Sequence, residues 1–103
     1  MSELNKKVVL VTGGGTGIGR SSALALQKDG HVVVICGRRG ELLKETVDMG
    51  TPDKPPIFSI ITDVANAKSV EELFNAVQKR YSRLDVLFNN AGKGAPRVPL
   101  DEL

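Results

Sequence analysis

A glycine-rich segment that directly follows an apolar run is the part of this sequence best suited to binding a charged ligand. Residues Val8 to Val11 are all aliphatic, which predicts a strand that is buried on both faces. Glycines then stand at positions 13, 14, 15, 17 and 19. A backbone without Cβ atoms can adopt positive φ angles and let a ligand approach its amides, and a helix that begins near Gly17 would direct unpaired N–H groups at the same place. The segment therefore predicts an anion site, and phosphate is the anion that it suits best.

The spacing of these glycines separates three interpretations. The dinucleotide pattern Gly-x-Gly-x-x-Gly is not met, because its last glycine falls on Ile18 or Arg20 when it starts at Gly13 or Gly15. The phosphate-loop pattern Gly-x-x-x-x-Gly-Lys-Ser fits positions 14–19, but Arg20 then replaces the lysine, and a planar guanidinium does not substitute for a compact ammonium group. A turn without function is disfavoured as well, because two glycines usually suffice for a turn.

Two short motifs carry the pattern that does fit. The first, Thr-Gly-x-x-x-Gly-Ile-Gly, runs from Thr12 to Gly19. The second, Asn-Asn-Ala-Gly, runs from Asn89 to Gly92; its amide side chains would tie the strand end to its neighbours, and its small residues would let a ligand lie against the backbone. With both motifs in register along essentially the whole chain, the sequence resembles the short-chain dehydrogenase/reductase family. The resemblance implies a nicotinamide dinucleotide, hydride transfer between the nicotinamide and a small-molecule carbonyl or alcohol substrate, and a homo-oligomer in the complete protein.

The residues expected to contact the cofactor follow the carboxyl ends of the predicted strands. They are Gly13, Gly15, Thr16, Gly17, Ile18, Gly19, Arg38, Asp63, Val64, Asn90, Ala91 and Gly92. The resemblance implies that Asp63 contacts the adenine amino group and that Val64 packs on the ring. Two other roles stay open for Asp63: it could cap the turn before the next helix, or it could hold the magnesium ion of a nucleotide triphosphatase. The second role is disfavoured because Arg20 replaces the lysine that such an enzyme needs.

The residues after the second predicted strand bear on which dinucleotide is bound. A site selective for an unphosphorylated ribose usually places a carboxylate there, which accepts from the 2′-hydroxyl and would repel a 2′-phosphate. Gly37 takes that position, and Arg38 offers a guanidinium that can form a charge-assisted, bidentate pair with a phosphate. The sequence thus favours NADP over NAD. The alternative is that Arg38 and Arg39 are solvated charges in a turn, an interpretation that applies more readily to Arg39.

Strands and helices alternate along the chain without a visible break or repeat. The apolar runs predict strands at 8–11, 31–36, 57–62 and 86–89, with helices between them. Apolar strands that are separated by helices indicate right-handed crossovers and a parallel sheet covered on both faces. The predicted fold class is therefore α/β: an incomplete, Rossmann-type doubly wound parallel sheet with strand order 3-2-1-4, in a three-layer α/β/α arrangement. The ligand crevice should lie between strands 1 and 4, where the winding reverses.

Helical periodicity predicts which side chains face the sheet. The inward face of the first helix would comprise Ile18, Ser22, Ala25 and Leu26, with Gly30 at the carboxyl end. The second helix, over 41–49, is predicted to bury Leu43 and Val47. The third helix is predicted to begin at a capping box of Ser69 and Glu72. Its apolar stripe comprises Val70, Leu73, Phe74, Val77 and Tyr81. The segment 50–56, rich in proline, is predicted to be a surface connection.

Composition and charge limit the class of protein. The chain of 103 residues allows one domain, and its 14 basic and 12 acidic residues leave a net charge of +2, too balanced to indicate nucleic acid as a partner. No apolar run approaches a membrane span, and the first seven residues are too polar for a secretory signal.

The lone Cys36 excludes a disulfide framework, is expected to be a buried thiol and favours a cytoplasmic location. His31 has no nearby carboxylate or second histidine, so it is expected to be a boundary residue and no metal site is predicted.

The tyrosine of this chain does not match the catalytic pattern of the family that it resembles. Similar members handle the proton with a serine and a Tyr-x-x-x-Lys pair, whose lysine lowers the tyrosine pKa. The sole tyrosine is Tyr81, and Asp85 stands four residues later, where a lysine would be needed. No catalytic residue is therefore predicted in the chain. It is interpreted as one unit, residues 1–103, that forms the amino-terminal, NAD(P)-binding part of an oxidoreductase and stops before the catalytic segment.

A non-catalytic dinucleotide-binding or interaction module is the alternative interpretation. If nothing followed the fourth strand, Val86, Leu87 and Phe88 would form an unpaired and partly uncovered edge, which predicts aggregation or pairing with another chain. A soluble monomer would favour the alternative. Nothing in the sequence chooses a substrate among sugars, steroids, acyl thioesters and simple ketones.

Overall fold

The strands of the molecule form one parallel sheet. The computed structural model describes residues 6–89. Within that range the strands are β1 (Val8–Thr12), β2 (Val32–Gly37), β3 (Phe58–Ile61) and β4 (Val86–Phe88), whose ends differ from the predicted ones by at most one residue. They lie in the order β3-β2-β1-β4, and every neighbouring pair is parallel. The predicted topology is therefore confirmed, with β1 and β2 in the middle of the sheet.

Helices cover both faces of the sheet. They are α1 (Gly17–Lys28), α2 (Gly40–Asp48) and α3 (Ala67–Tyr81). One buried cluster joins the sheet to α1 and α2, and a second cluster joins the opposite face to α3. The predicted three-layer arrangement is confirmed.

The alternation of side chains along β1 shows why its sequence is continuously apolar. Val9 and Val11 belong to the cluster on the α1 and α2 face, whereas Val8 and Leu10 belong to the cluster on the α3 face. All of these residues are buried. Successive side chains of a strand point to opposite faces, so a strand that is covered on both sides needs apolar residues at every position.

The inward face of α1 differs from the prediction. The buried residues of the helix are Gly19, Ala23 and Gln27. Ile18 is instead 69% exposed. The small residues on this face let the helix approach the sheet closely, so larger side chains lie at its flanks. The remainder of the predicted face borders an open cleft beside β4, lined in part by Ser22, Ala25 and Leu26.

The start of α3 also differs from the prediction. The helix begins one turn earlier than Ser69, because Asn66 is its N-cap and accepts a 3.0 Å hydrogen bond from the backbone N–H of Ser69. The hydroxyl of Ser69 accepts a 3.0 Å bond from the N–H of Asp63 and so ties the helix to the exit of β3. The capping box of Ser69 and Glu72 is therefore wrong. The apolar stripe is confirmed, with Leu73 and Val77 buried against the sheet.

A buried glutamine fixes the connection between α2 and β3. Gln27 is 2% exposed, and its amide donates to the carbonyl oxygens of Thr51 at 3.2 Å and Pro55 at 2.9 Å. Its side-chain oxygen accepts from the N–H of Thr51 at 2.7 Å. These bonds satisfy both ends of the buried amide and hold an otherwise irregular segment against α1. The connection at 50–56 contains no helix or strand, as predicted.

A carboxylate joins the beginnings of β1 and β4. Asp85 Oδ2 accepts from the backbone N–H of Val8 at 2.8 Å and from Arg83 Nε at 2.8 Å, and the N–H of Asp85 donates to the Val8 carbonyl at 2.9 Å. The bond from Val8, assisted by Arg83, lowers the pKa of Asp85 below its ordinary value.

We expect Asp85→Asn to reduce the acid sensitivity of the fold. A lowered pKa in the folded state means that the charged carboxylate stabilises the fold at neutral pH, and that this contribution is lost as the pH falls below about 4 and through the folded pKa. The variant should lose about 1 kcal/mol of unfolding free energy at pH 7, and much less near pH 2.5. Urea unfolding at both pH values measures this difference. An equal loss at the two pH values would contradict the role of the charge.

Candidate functional site

The glycine-rich loop packs closely against the carboxyl end of β2. The backbone N–H groups of Gly13 and Gly14 both donate to the carbonyl oxygen of Cys36, at 2.9 and 3.2 Å. A Cβ atom on Gly14 would come within 2.5 Å of the Ile35 Cβ atom, so only glycine permits this approach. Gly13 also has a φ of 67°, a left-handed conformation that side chains disfavour. The sequence therefore specifies a loop pressed against the sheet at the carboxyl end of β1.

The amino terminus of α1 opens directly from this loop. Thr16 is the N-cap residue in an extended conformation, and its side chain makes no capping hydrogen bond. No acidic residue stands in the first turn, so the N–H groups there keep their hydrogen-bonding capacity and the positive end of the helix dipole is not neutralised. Gly17 has a φ of 57°, and a Cβ atom built on it would meet no atom within 4 Å. The helix start thus faces open space that an anion can enter.

A cleft of about 270 Å³ joins this loop to the turn after β2. It is lined by Gly13, Gly15, Thr16, Gly37, Arg38, Arg39, Leu42 and Leu43. The lining contains two exposed arginines and no carboxylate. Within the described residues, neither Arg38 nor Arg39 forms an ion pair, so both guanidinium groups are available to a ligand. One cleft therefore offers backbone amides at one end and cationic side chains at the other.

Arg20 faces away from the cleft. Its Nε donates to the hydroxyl of Thr46 at 2.8 Å, and Nη2 donates to the Leu42 carbonyl at 3.0 Å and to Glu45 Oε1 at 3.2 Å. The guanidinium fork is thus committed to α2 and does not reach toward the place of the phosphates. This orientation weighs further against the phosphate loop of a triphosphatase.

Asp63 and Val64 lie outside the lining of this cleft. Asp63 Oδ1 accepts a 3.0 Å bond from the N–H of Ala65, which is the turn-capping role considered for it. Its second carboxylate oxygen has no partner in the described part of the chain, so the capping role leaves it able to accept from a ligand. Val64 is half-buried and lines a small apolar cavity of about 20 Å³ between the sheet and α3.

The end of β4 is tied to the end of β1. The hydroxyl of Thr12 donates to Asn89 Oδ1 at 3.1 Å and lies 3.5 Å from the Phe88 carbonyl. An amide that links the strand ends was expected of this motif, and Asn89 supplies it. The predicted site residues Asn90, Ala91 and Gly92 lie outside the described residues.

Two side chains with reactive groups, Tyr81 and Cys36, are not part of the lining of the cleft. Tyr81 packs edge-on against Phe58, the first residue of β3, with ring centroids 6.4 Å apart, and its hydroxyl accepts from Arg80 Nε at 3.2 Å. The amino end of β3 is opposite the edge of the sheet that carries the glycine loop, so Tyr81 is a packing residue here. Cys36 is fully buried, which raises the pKa of its thiol to about 12 and keeps it protonated.

One polar residue near the cleft, Thr46, was not singled out as functional from the sequence. Thr46 of α2 is fully buried, although Val47 was the residue expected to face inward and is only half-buried. Thr46 stands three residues after the buried Leu43 and therefore lies on the same face of the helix. This spacing was the sequence signal that could have identified Thr46 as a buried residue. Its hydroxyl donates to the carbonyl of Gly14 at 2.8 Å, so α2 contacts the glycine loop directly.

Comparison with known sequences matches this arrangement to a family. The sequence model of the short chain dehydrogenases matches residues 7–103. The chain belongs to the short-chain dehydrogenase family. No group of three or more metal-ligating side chains occurs among residues 6–89, and none of the helices in that range has the length and apolar character of a membrane span.

The relatives of this chain differ in length. An uncharacterized oxidoreductase of Staphylococcus aureus is 37% identical over 93 residues, which cover 90% of this chain and 39% of the relative. The short-chain dehydrogenase/reductase homolog YusS of Bacillus subtilis is 36% identical over 104 residues, which cover all of this chain and 94% of the relative. The chain therefore spans about two fifths of one relative and nearly the whole of the other.

A solved structure shares the fold at similar identity. A variant of the actinorhodin polyketide ketoreductase, crystallised with NADPH, superposes with a TM-score of 0.80 and 36% sequence identity. The superposition covers 90% of this chain and 36% of the ketoreductase chain. The Rossmann-type fold of the described residues is thereby shown independently of the sequence motifs.

Proposed function

We propose that this chain is the cofactor-binding part of an NADP(H)-dependent oxidoreductase that transfers hydride between the nicotinamide and a carbonyl or alcohol substrate. The observation that carries the proposal is that the residues before α1 and the turn at Arg38 line one cleft. When bound, the nicotinamide supplies the hydride, and this chain holds the dinucleotide. The protein is proposed to act in the cytoplasm, in keeping with a single buried thiol.

The glycine loop fits the pyrophosphate of such a cofactor. Gly13, Gly15 and Thr16 line the cleft, and Gly17, Ile18 and Gly19, which are not in its lining, form the first turn of the helix that follows the N-cap Thr16. Backbone amides at a helix start bind phosphate without adding bulk, and the missing side chain at Gly17 leaves the approach open. These six residues are proposed to hold the pyrophosphate.

The other contacts extend from this centre toward the two ends of the cofactor. Arg38 is proposed to bind a 2′-phosphate, because Gly37 leaves no carboxylate that would favour an unphosphorylated ribose. Asp63 and Val64 are proposed to contact the adenine. Asn90, Ala91 and Gly92 are proposed to contact the ribose and nicotinamide. The ketoreductase of similar fold was crystallised with NADPH, which supports the phosphorylated form.

Calorimetric titration of the purified protein with NADPH and with NADH tests the proposal. We expect NADPH to bind about 10- to 100-fold more tightly, because a charge-assisted pair between guanidinium and phosphate contributes about 1.5–3 kcal/mol. The difference should shrink as the salt concentration rises, since both arginines are exposed to solvent. Equal affinities at low salt would remove the NADP assignment, and the absence of binding by either dinucleotide would remove the proposed function.

A further inference from the structure

A buried hydroxyl connects the two halves of the proposed cofactor site. Thr46 is fully buried between the glycine loop and α2. Its hydroxyl donates to the carbonyl oxygen of Gly14 at 2.8 Å and accepts from Arg20 Nε at 2.8 Å. The Leu42 carbonyl lies farther from the hydroxyl, at 3.3 Å, so the single proton is best placed toward Gly14. Three elements therefore meet at one side chain: the loop, the body of α1 and α2.

Arg20 completes this contact by holding α2 in place. Its guanidinium bridges Thr46 and the carbonyl oxygen of Leu42, which is 3.0 Å away. The ion pair with Glu45 adds little, because that carboxylate is 61% exposed. Leu42 itself lines the cleft and lies close to Gly15, since a Cβ atom built on Gly15 would come within 3.0 Å of the Leu42 Cβ atom. The position of α2 thus determines the shape of the cleft beside the loop.

The amino end of α2 carries the residues proposed to recognise the 2′-phosphate. Arg39 is the N-cap of α2 and Arg38 precedes it, so a shift of the helix moves both guanidinium groups. The pyrophosphate is proposed to be held by the loop, whereas the 2′-phosphate is proposed to be held by this turn. Binding both phosphates at once therefore requires a fixed distance between the loop and α2.

We infer that Arg20 and Thr46 are positioning residues that set the preference for the phosphorylated dinucleotide by fixing this distance. Neither residue lines the cleft or touches the ligand in this account. The inference rests on the proposed function, because it concerns how that site distinguishes NADPH from NADH. Both dinucleotides share the loop and the contacts to adenine and nicotinamide, but only NADPH also needs the turn at Arg38 in register with the loop, so loosening α2 weakens NADPH binding more.

The test compares the ratio of the NADH and NADPH dissociation constants in matched variants. Thr46→Val keeps the shape of the side chain and removes the hydroxyl, and the ratio should fall at least about fivefold, since small displacements of a positioned group have large effects. Thr46→Ser restores the hydroxyl and should restore the ratio. Asp85→Asn is the control for general loosening, because it weakens the contact between the beginnings of β1 and β4, away from α2, and should leave the ratio unchanged.

A second variant covers the case in which Thr46→Val fails to fold. Arg20→Lys keeps the charge at a side chain that is already 22% exposed, but it removes the donor fork to Thr46 and Leu42. It should lower the ratio in the same direction. An unchanged ratio in a folded Thr46→Val or Arg20→Lys variant, or an equal fall in Asp85→Asn, would overturn the inference while leaving the proposed function intact. A wild-type protein that binds neither dinucleotide would instead remove the proposed function.

Discussion

Replacing Arg38 with aspartate should reverse the order of affinities, so that NADH binds more tightly than NADPH. The change removes a guanidinium from the lining of the cleft and places a carboxylate next to Gly37, where a site for an unphosphorylated ribose usually has one. Loss of the charge-assisted pair weakens NADPH binding by about 10- to 100-fold, and repulsion between carboxylate and 2′-phosphate weakens it further. The new carboxylate can accept from the 2′-hydroxyl of NADH. Titration of both dinucleotides against the variant measures the effect.

Arg39→Asp is the matched control for this prediction. It makes the same change of charge one residue later, at the N-cap of α2, and Arg39 also lines the cleft. A preference that arises from the general positive charge of the cleft would respond equally to the two variants. We expect Arg39→Asp to change the ratio of affinities much less than Arg38→Asp. Unchanged relative affinities in Arg38→Asp would remove Arg38 as the determinant of the preference.

Replacing Gly17 with aspartate should abolish the binding of both dinucleotides while leaving the fold intact. A Cβ atom at this position meets no atom within 4 Å beyond its own stretch of chain, so the carboxylate of an aspartate has room to extend into the space proposed for the pyrophosphate. Two unit charges about 5 Å apart repel by about 3 kcal/mol at an effective dielectric constant of about 20, which corresponds to about a 100-fold loss of affinity. The positive φ of Gly17 strains any other residue, but aspartate adopts it more readily than most and an acidic group stabilises a helix start, so the variant should remain folded.

Gly17→Asn separates repulsion from steric hindrance in this experiment. Asparagine has nearly the same shape, accepts the φ of 57° as readily and carries no charge. We expect it to weaken binding clearly less than aspartate does. Thermal unfolding of both variants should lie within a few degrees of the wild type. If Gly17→Asp bound NADPH as tightly as Gly17→Asn, the pyrophosphate would not lie at the start of α1.

The strands and their order could be predicted because the central strands are buried on both faces. Such strands show as unbroken aliphatic runs, and helices between them leave few ways to connect a parallel sheet. The glycine loop could be recognised in the sequence as well. Gly14 packs so closely against Ile35 that no side chain fits, and this requirement shows in the sequence as a glycine. The sheet and the proposed phosphate-binding end of the cleft could thus be predicted, because both depend on local sequence patterns.

The contacts that position the cleft could not be predicted in the same way. Gln27 and Thr46 are buried polar residues whose partners lie 24 and 32 residues away along the chain, and nothing in the neighbouring sequence marks those partners. The face of α1 was wrong for a related reason. The helix packs through the small Gly19 and Ala23, whereas the prediction followed the helical spacing of Ile18 and Leu26, of which Leu26 packs against the buried cluster and Ile18 is exposed.

The structure of the protein in complex with NADPH tests the central claim most directly. We expect the pyrophosphate to lie at the N–H groups that begin α1, within hydrogen-bonding distance of the backbone at 17–19. We expect the 2′-phosphate to lie beside the guanidinium of Arg38. A complex in which saturating NADPH leaves the cleft between Gly13 and Arg38 empty, or lies elsewhere on the molecule, would contradict it.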